Sequence, residues 1–330
     1  MHLSPKESGL YIANHSNNVT IKLEGITKLG DVLFDELNSG QLKPENFSQT
    51  EVHPKAEDKH ALDWLFVVDT LNFCFWSNER EEGWKVEGHS GYYALCAAIN
   101  RALKDNIDIL NPKFYSSLTE AQLKNILRSD TKVEVPLLSE RLKCLHEVGT
   151  ALLKNFEGSF KIVVRQSENS AKKLLELIVS NFMCFQDVAT YKGQKVAYYK
   201  RAQILVGDVW ACFQGQGLGY FKDLDEITMF ADYRVPQTLL WFGVIEYGEH
   251  INKKLKENYI FNNGDLEEQE IRGCSIHAVE LLKVYVNERL KDKKINSILI
   301  DHFLWDFRRK HAKEIEEKGL PFHKVFCIYY

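Results

Sequence analysis

Nothing in this sequence reads as a covalent or metal-bound framework. Its seven cysteines (Cys74, Cys96, Cys144, Cys184, Cys212, Cys274 and Cys327) are odd in number and widely spread, with no CxxC pair. A disulfide scaffold or a zinc cage needs close, paired spacing. Set among apolar neighbours, most of these thiols read as buried and free. The eleven histidines form no HxH or HxxxH pair, so no metal site is expected. Proline is scarce, with 7 among 330 residues, and with 19 glycines there is no tract long enough for a flexible linker. No window approaches eighteen uncharged apolar residues, and the opening MHLSPKESGLYIANHS has no apolar signal core. These absences predict a protein of a reducing compartment, cytoplasmic or also nuclear, with no membrane partner. Basic excess is lacking too. A formal net charge of −4 argues against a protein that grips nucleic acid through its phosphates. It leaves room for a local basic pocket that holds one phosphate.

What is present is ordinary globular composition, 45% hydrophobic and 27% charged, with aromatics at a high 12%. Apolar residues recur three and four apart over 18–38, 91–105, 118–128, 137–155, 169–184, 198–213, 235–257, 271–291 and 295–318, which predicts helices there. Strand signals are few. The aromatic and β-branched run WLFVVDTLNFCFW (64–76) reads as a strand, with GWKVEGHSGYY as its returning partner. DVATYKGQKVAYY (187–199) reads as a hairpin turning at Lys192-Gly193. The fold class is therefore mainly α with minor β. A division into an N-terminal part, 1–150, and a helical part, 151–330, is expected, with the boundary falling somewhere in 130–165.

Four stretches carry polar groups in settings that need a reason. In FADYRVPQTL (230–239), Pro236 suits the first turn of a helix, and Asp232 precedes that turn between Phe230 and Tyr233. One reading makes Asp232 a cap or a partner of Arg234; the other gives a carboxylate at a helix start a chemical task. In YYKRAQILVGDVW (198–210), Lys200, Arg201 and Gln203 suit a phosphate, or simply a solvated helix start. VVDTLNFCFWSNEREEGW (67–84) alternates Asp69 and Asn72 with Phe73, Phe75, Trp76 and Trp84, which fits a pocket for a flat heterocycle or an aromatic core strand. INSILIDHFLWDFRRKH (295–311) places Asp301, Trp305 and Arg308 on one helix flank and pairs Asp306 with Lys310 on the other. GQGLGYF (215–221) lacks the GxGxxG spacing and any βαβ context, and reads as a glycine-rich turn. No Walker A pattern and no GxSxG elbow occur.

Taken in order, VDTLNFCFW (68–76), GYYALCAAINRAL (91–103), KRAQ within 198–210, ADYRVPQ within 230–239 and ILIDHFLWDFRR (298–309) resemble the queuosine salvage protein family over nearly the whole chain. The resemblance implies an N-glycosidase that releases the base queuine from queuosine 5′-phosphate for reuse in transfer RNA. It implies a helical core similar to the helix-hairpin-helix DNA glycosylases, no metal or organic cofactor, and no direct nucleic-acid partner. It makes Asp232 the catalytic carboxylate and Phe230 a stacking neighbour of the substrate. His53, Asp306 and Lys310, with Asp301 in reserve, become candidate contacts to the ring or sugar. Lys200 and Arg201 are candidates for the 5′-phosphate, while Asn72 and Phe73 would support the pocket from behind. Two other classes stay open. A nucleic-acid base glycosylase would use the same fold and show salt-dependent DNA binding. A non-catalytic binder of queuine or queuosine would bind without turnover.

Overall fold

The computed structural model describes residues 2–77, 83–291 and 293–330. It is mainly α with minor β, and its only sheets among the described residues are two-stranded. The chain divides into two compact units, each assembled from several segments.

The first unit comprises Met1–Lys43, Asp187–Gln203 and Asp223–Phe326. Its axis is the helix Leu266–Asn287, buried along most of its length. The helices Pro5–His15, Leu23–Asn38 and Ser297–Lys310 pack against it. The first of these crosses it very closely. A Cβ added at Gly273 would lie 2.6 Å from Ile12 side-chain atoms, and one at Gly9 would lie 2.7 Å from Ile276, so both positions need glycine. The helix Pro5–His15 is absent from the periodicity reading, yet it is announced locally. Ser4 and Glu7 form a capping box, and Pro5 begins the first turn.

The single helix expected over 235–257 is instead a helix Val235–Trp241, a strand Ile245–Tyr247 and a helix Glu249–Lys256. Gly243 explains the break: its φ of +71° is left-handed, and the Val244 N–H turns back to the Leu239 carbonyl at 2.8 Å. The freed segment then pairs antiparallel with Val19–Ile21. The hairpin at 187–199 is found where expected, as Val188–Tyr191 against Gln194–Ala197, with Lys192 and Gly193 both at positive φ in the turn.

The second unit comprises Pro44–Gln186, Ile204–Lys222 and Cys327–Tyr330. The strand expected at 64–76 is wrong. Ala61–Thr70 is a helix with nine of its residues buried, and a helix enclosed on all sides carries an apolar run with no period to separate it from a strand. The fully buried Arg141 ends it, donating to the carbonyls of Leu71, Phe73 and Cys74. The segment GWKVEGHSGYY is a small hairpin of its own, Lys85–Val86 with His89–Ser90, and not a partner of 64–76. Residues 78–82 of the stretch proposed as an aromatic pocket lie outside the described residues. The glycine-rich segment 215–221 is a turn, with Gly215 and Gly217 at positive φ.

Candidate active site

Asp232 lies on a segment held at several points before the helix Val235–Trp241 begins. Gln203, from the KRAQ turn, accepts from the Thr228 N–H at 2.9 Å and donates to the Thr228 hydroxyl at 2.9 Å. The Phe230 N–H donates to Asp301 Oδ1 at 2.8 Å. Arg272 Nε donates to the Ala231 carbonyl at 2.9 Å. Arg272 is itself fixed by a two-pronged pair with Asp187, at 2.9 and 2.5 Å, and all three groups belong to the same unit. Asp187 also accepts from the backbone N–H of Lys200, so the start of the helix Lys200–Cys212 is tied to the same network. These bonds fix the backbone leading into the carboxylate, as a reacting group needs.

The two readings of Asp232 turn out to be compatible. Its Oδ1 accepts from the backbone N–H groups of Arg234 at 2.8 Å and Val235 at 2.7 Å, which is a cap. Both of its side-chain hydrogen bonds among the described residues go to Oδ1 and none to Oδ2, and the side chain is half-buried. One oxygen is held and the other is left for a ligand.

Asp301 is the second carboxyl of the site. It is 4% exposed, and burial holds it well above the ordinary carboxylate range. The charge of Asp232 raises it further, against the opposing pull of the Phe230 N–H and the Lys200 ammonium. Burial and the neighbouring charge of Asp232 thus both push Asp301 toward its protonated form. Phe230 is 4% exposed, with its ring 6.5 Å from that of His302.

The other expected residues are placed differently. Lys200 and Arg201 are 5% and 1% exposed, so neither begins a solvated helix turn; Lys200 lies near enough to Asp301 to act on its proton. Asp306 and Lys310 are exposed on the helix Ser297–Lys310, and the ion pair expected between them does not form among the described residues. His53 belongs to the other unit, stacked on Phe47 at 4.1 Å and edged by Tyr92 and Tyr93. Burial lowers it to about 4, so its imidazole is neutral. Nδ1 donates to the Phe47 carbonyl at 2.9 Å, which leaves Nε2 as a bare acceptor, buried and without a partner. Asn72 and Phe73 are core residues of that unit: Asn72 donates to Asp69, and Phe73 lies under Arg141 at 4.3 Å.

Sequence reasoning missed Asp187, Thr228 and Arg272. Only the EEQEIR run held a signal for Arg272, and charges at such density read as a solvated helix start. Among the described residues no group of three or more His, Cys, Asp or Glu side chains could hold a metal ion.

A held carboxylate with one unbonded oxygen, beside a buried carboxyl pushed toward its protonated form, suits an acid–base or cation-stabilising site on a mainly α protein. Comparison with known proteins gives it a family. The model described as "Queuosine salvage protein" matches residues 52–330. A protein of Bos taurus named queuosine 5′-phosphate N-glycosylase/hydrolase is 42% identical over 99% of this chain and 99% of its own length. Proteins of the same name from Mus musculus and Schizosaccharomyces pombe are 42% and 37% identical, over 99% and 97% of this chain and equal shares of their own. The chain belongs to the queuosine salvage protein family.

Proposed function

We propose that this chain hydrolyses the N-glycosidic bond of queuosine 5′-phosphate, releasing queuine and ribose 5-phosphate. The relatives' names supply the reaction and substrate, and the half-held Asp232 is the observation that supports a site for it. As the bond from the sugar's C1′ to the base nitrogen breaks, its electron pair leaves with the base and positive charge builds on the ribose ring. The free Oδ2 of Asp232 is available to stabilise that charge. It can also take a proton from the attacking water, whose hydroxyl goes to C1′ while a proton ends on the departing nitrogen. Direct attack by Asp232, followed by hydrolysis of the ester, balances equally well. Asp301 acts through Phe230, holding its N–H and with it the approach to Asp232.

The remaining roles rest on the resemblance: Phe230 as a stacking neighbour, His53, Asp306 and Lys310 as base or sugar contacts, Lys200 and Arg201 as phosphate contacts. So do a core similar to the helix-hairpin-helix DNA glycosylases, a cytoplasmic location, and independence of nucleic acid and of cofactors. Incubation of the purified chain with queuosine 5′-phosphate, followed by chromatography with mass detection, tests the proposal. Free queuine and ribose 5-phosphate in equal amounts are expected. Bound but intact substrate would instead favour a binding protein.

A further inference from the structure

Two guanidinium groups stand beside Asp232 without a carboxylate of their own. Arg234 and Arg308 are each half-buried, and neither forms an ion pair among the described residues. Both turn toward one amide oxygen: Arg234 Nη1 and Arg308 Nε donate to Gln237 Oε1 at 3.4 and 3.3 Å. Gln237 is 4% exposed and fixed in turn by donating to the Leu320 carbonyl. The plane of Arg234 lies over the Phe322 ring at 3.9 Å, and its side chain also bonds to Tyr233. Both terminal nitrogens of Arg308 lack a protein acceptor among the described residues.

Like charges held together in a half-buried place repel each other, and the cost shows. Arg308 is lowered to about 10, first by burial and next by the charge of Arg234. The facing groups are few: Asp232 and Tyr233 favour the charged forms of both arginines, Arg309 opposes Arg308, and Glu316 adds to Arg234. Asp232 supplies one negative charge against two cations, and among the described residues it forms an ion pair with neither guanidinium. A pair of forked donors with spare N–H groups matches the oxygens of a phosphate monoester.

We infer that Arg234 and Arg308 form a two-guanidinium seat for a phosphate monoester, occupied by the 5′-phosphate of the nucleotide whose glycosidic bond meets Asp232. The occupant, though not the seat, rests on the proposed glycosidase reading. The seat places a dianion where two cations lack one, and it fixes the sugar relative to Asp232 by charge and by directed bonds. Lys200 and Arg201, the cations that sequence alone suggests, are almost fully buried and carry less of this duty.

Two measurements decide it. The first compares hydrolysis of queuosine 5′-phosphate with that of unphosphorylated queuosine by wild type, Arg308→Gln, Arg308→Lys and Lys200→Ala. The ratio of kcat/KM for the two substrates is expected to fall about 30-fold in Arg308→Gln, the loss of a charge-assisted pair of bonds. A smaller fall is expected in Arg308→Lys, which keeps charge without the fork, and serves if the glutamine variant folds poorly. An unchanged ratio in both arginine variants, or a collapse only in Lys200→Ala, would overturn the assignment. The second is calorimetric titration of wild type and Arg308→Lys with ribose 5-phosphate and with ribose. It needs no turnover, so it separates failure of the seat from failure of the glycosidase reading. Wild type is expected to bind the phosphorylated sugar more tightly than ribose, and Arg308→Lys to show a smaller difference; equal binding of the two sugars by wild type would contradict the seat.

Discussion

Asp232 and Asp69 look alike in sequence, and the structure puts them to opposite uses. Each is a lone acid in a stretch that also carries aromatic residues, FADYR in one case and FVVDTLNF in the other. Asp69 lies in the buried helix Ala61–Thr70, fully inaccessible, and accepts from Asn72 Nδ2 at 3.2 Å. Asp232 lies on a segment whose neighbouring backbone groups are taken by Gln203, Asp301 and Arg272, and whose own carboxylate keeps one oxygen unbonded. A carboxyl that is fully enclosed and bonded to a neighbouring amide supports the fold. One serves chemistry when the scaffold holds it and leaves part of its capacity for something else.

Substitutions at the two sites should separate these uses. At the active carboxylate, Asp232→Asn keeps an oxygen for the Arg234 and Val235 N–H groups, so urea unfolding should move little, while turnover falls by roughly three orders of magnitude. At the other, Asp69→Ala should reduce unfolding free energy by about 1–3 kcal/mol, because it strands a buried amide donor. Its turnover per folded molecule should fall far less than that of Asp232→Asn. Comparable catalytic losses in the two variants would erase the distinction between them.

A subtler effect is expected at Asp301. Its folded form holds its proton well above the pH at which an unfolded aspartate ionises. The folded state therefore binds more protons than the unfolded one across that interval, and stability must decline as pH rises through it. Asp301→Asn keeps an acceptor for the Phe230 N–H and removes the titration. The variant should melt higher than wild type at neutral pH, with the gap closing as pH falls below about 4. A gap of constant size at all pH values would show that Asp301 does not hold its proton.

Much of the candidate site was legible because its signals are local. Pro236 marks a helix start, the Lys192-Gly193 turn marks a hairpin, and the spacing of Asp301 and Arg308 places both on one flank of a helix. What escaped depends on distant partners. Nothing near Arg272 announces that Asp187 will neutralise it or that Ala231 will use its remaining donor. The helix Ala61–Thr70 was misread because burial on every side erases periodicity, and the break at Gly243 because one left-handed glycine outweighs a good apolar stripe. The glycosidase chemistry was legible only through resemblance, since a capping aspartate and a catalytic one share the same position in sequence.

The most direct test of Asp232 is a single-turnover measurement of queuine release from queuosine 5′-phosphate by wild type and Asp232→Asn, at equal concentrations of folded protein. Substrate bound by both, with release by the variant slower by roughly a thousandfold, is the predicted result. Release by Asp232→Asn within about threefold of wild type would leave Asp232 as a helix cap alone and contradict its role in the reaction.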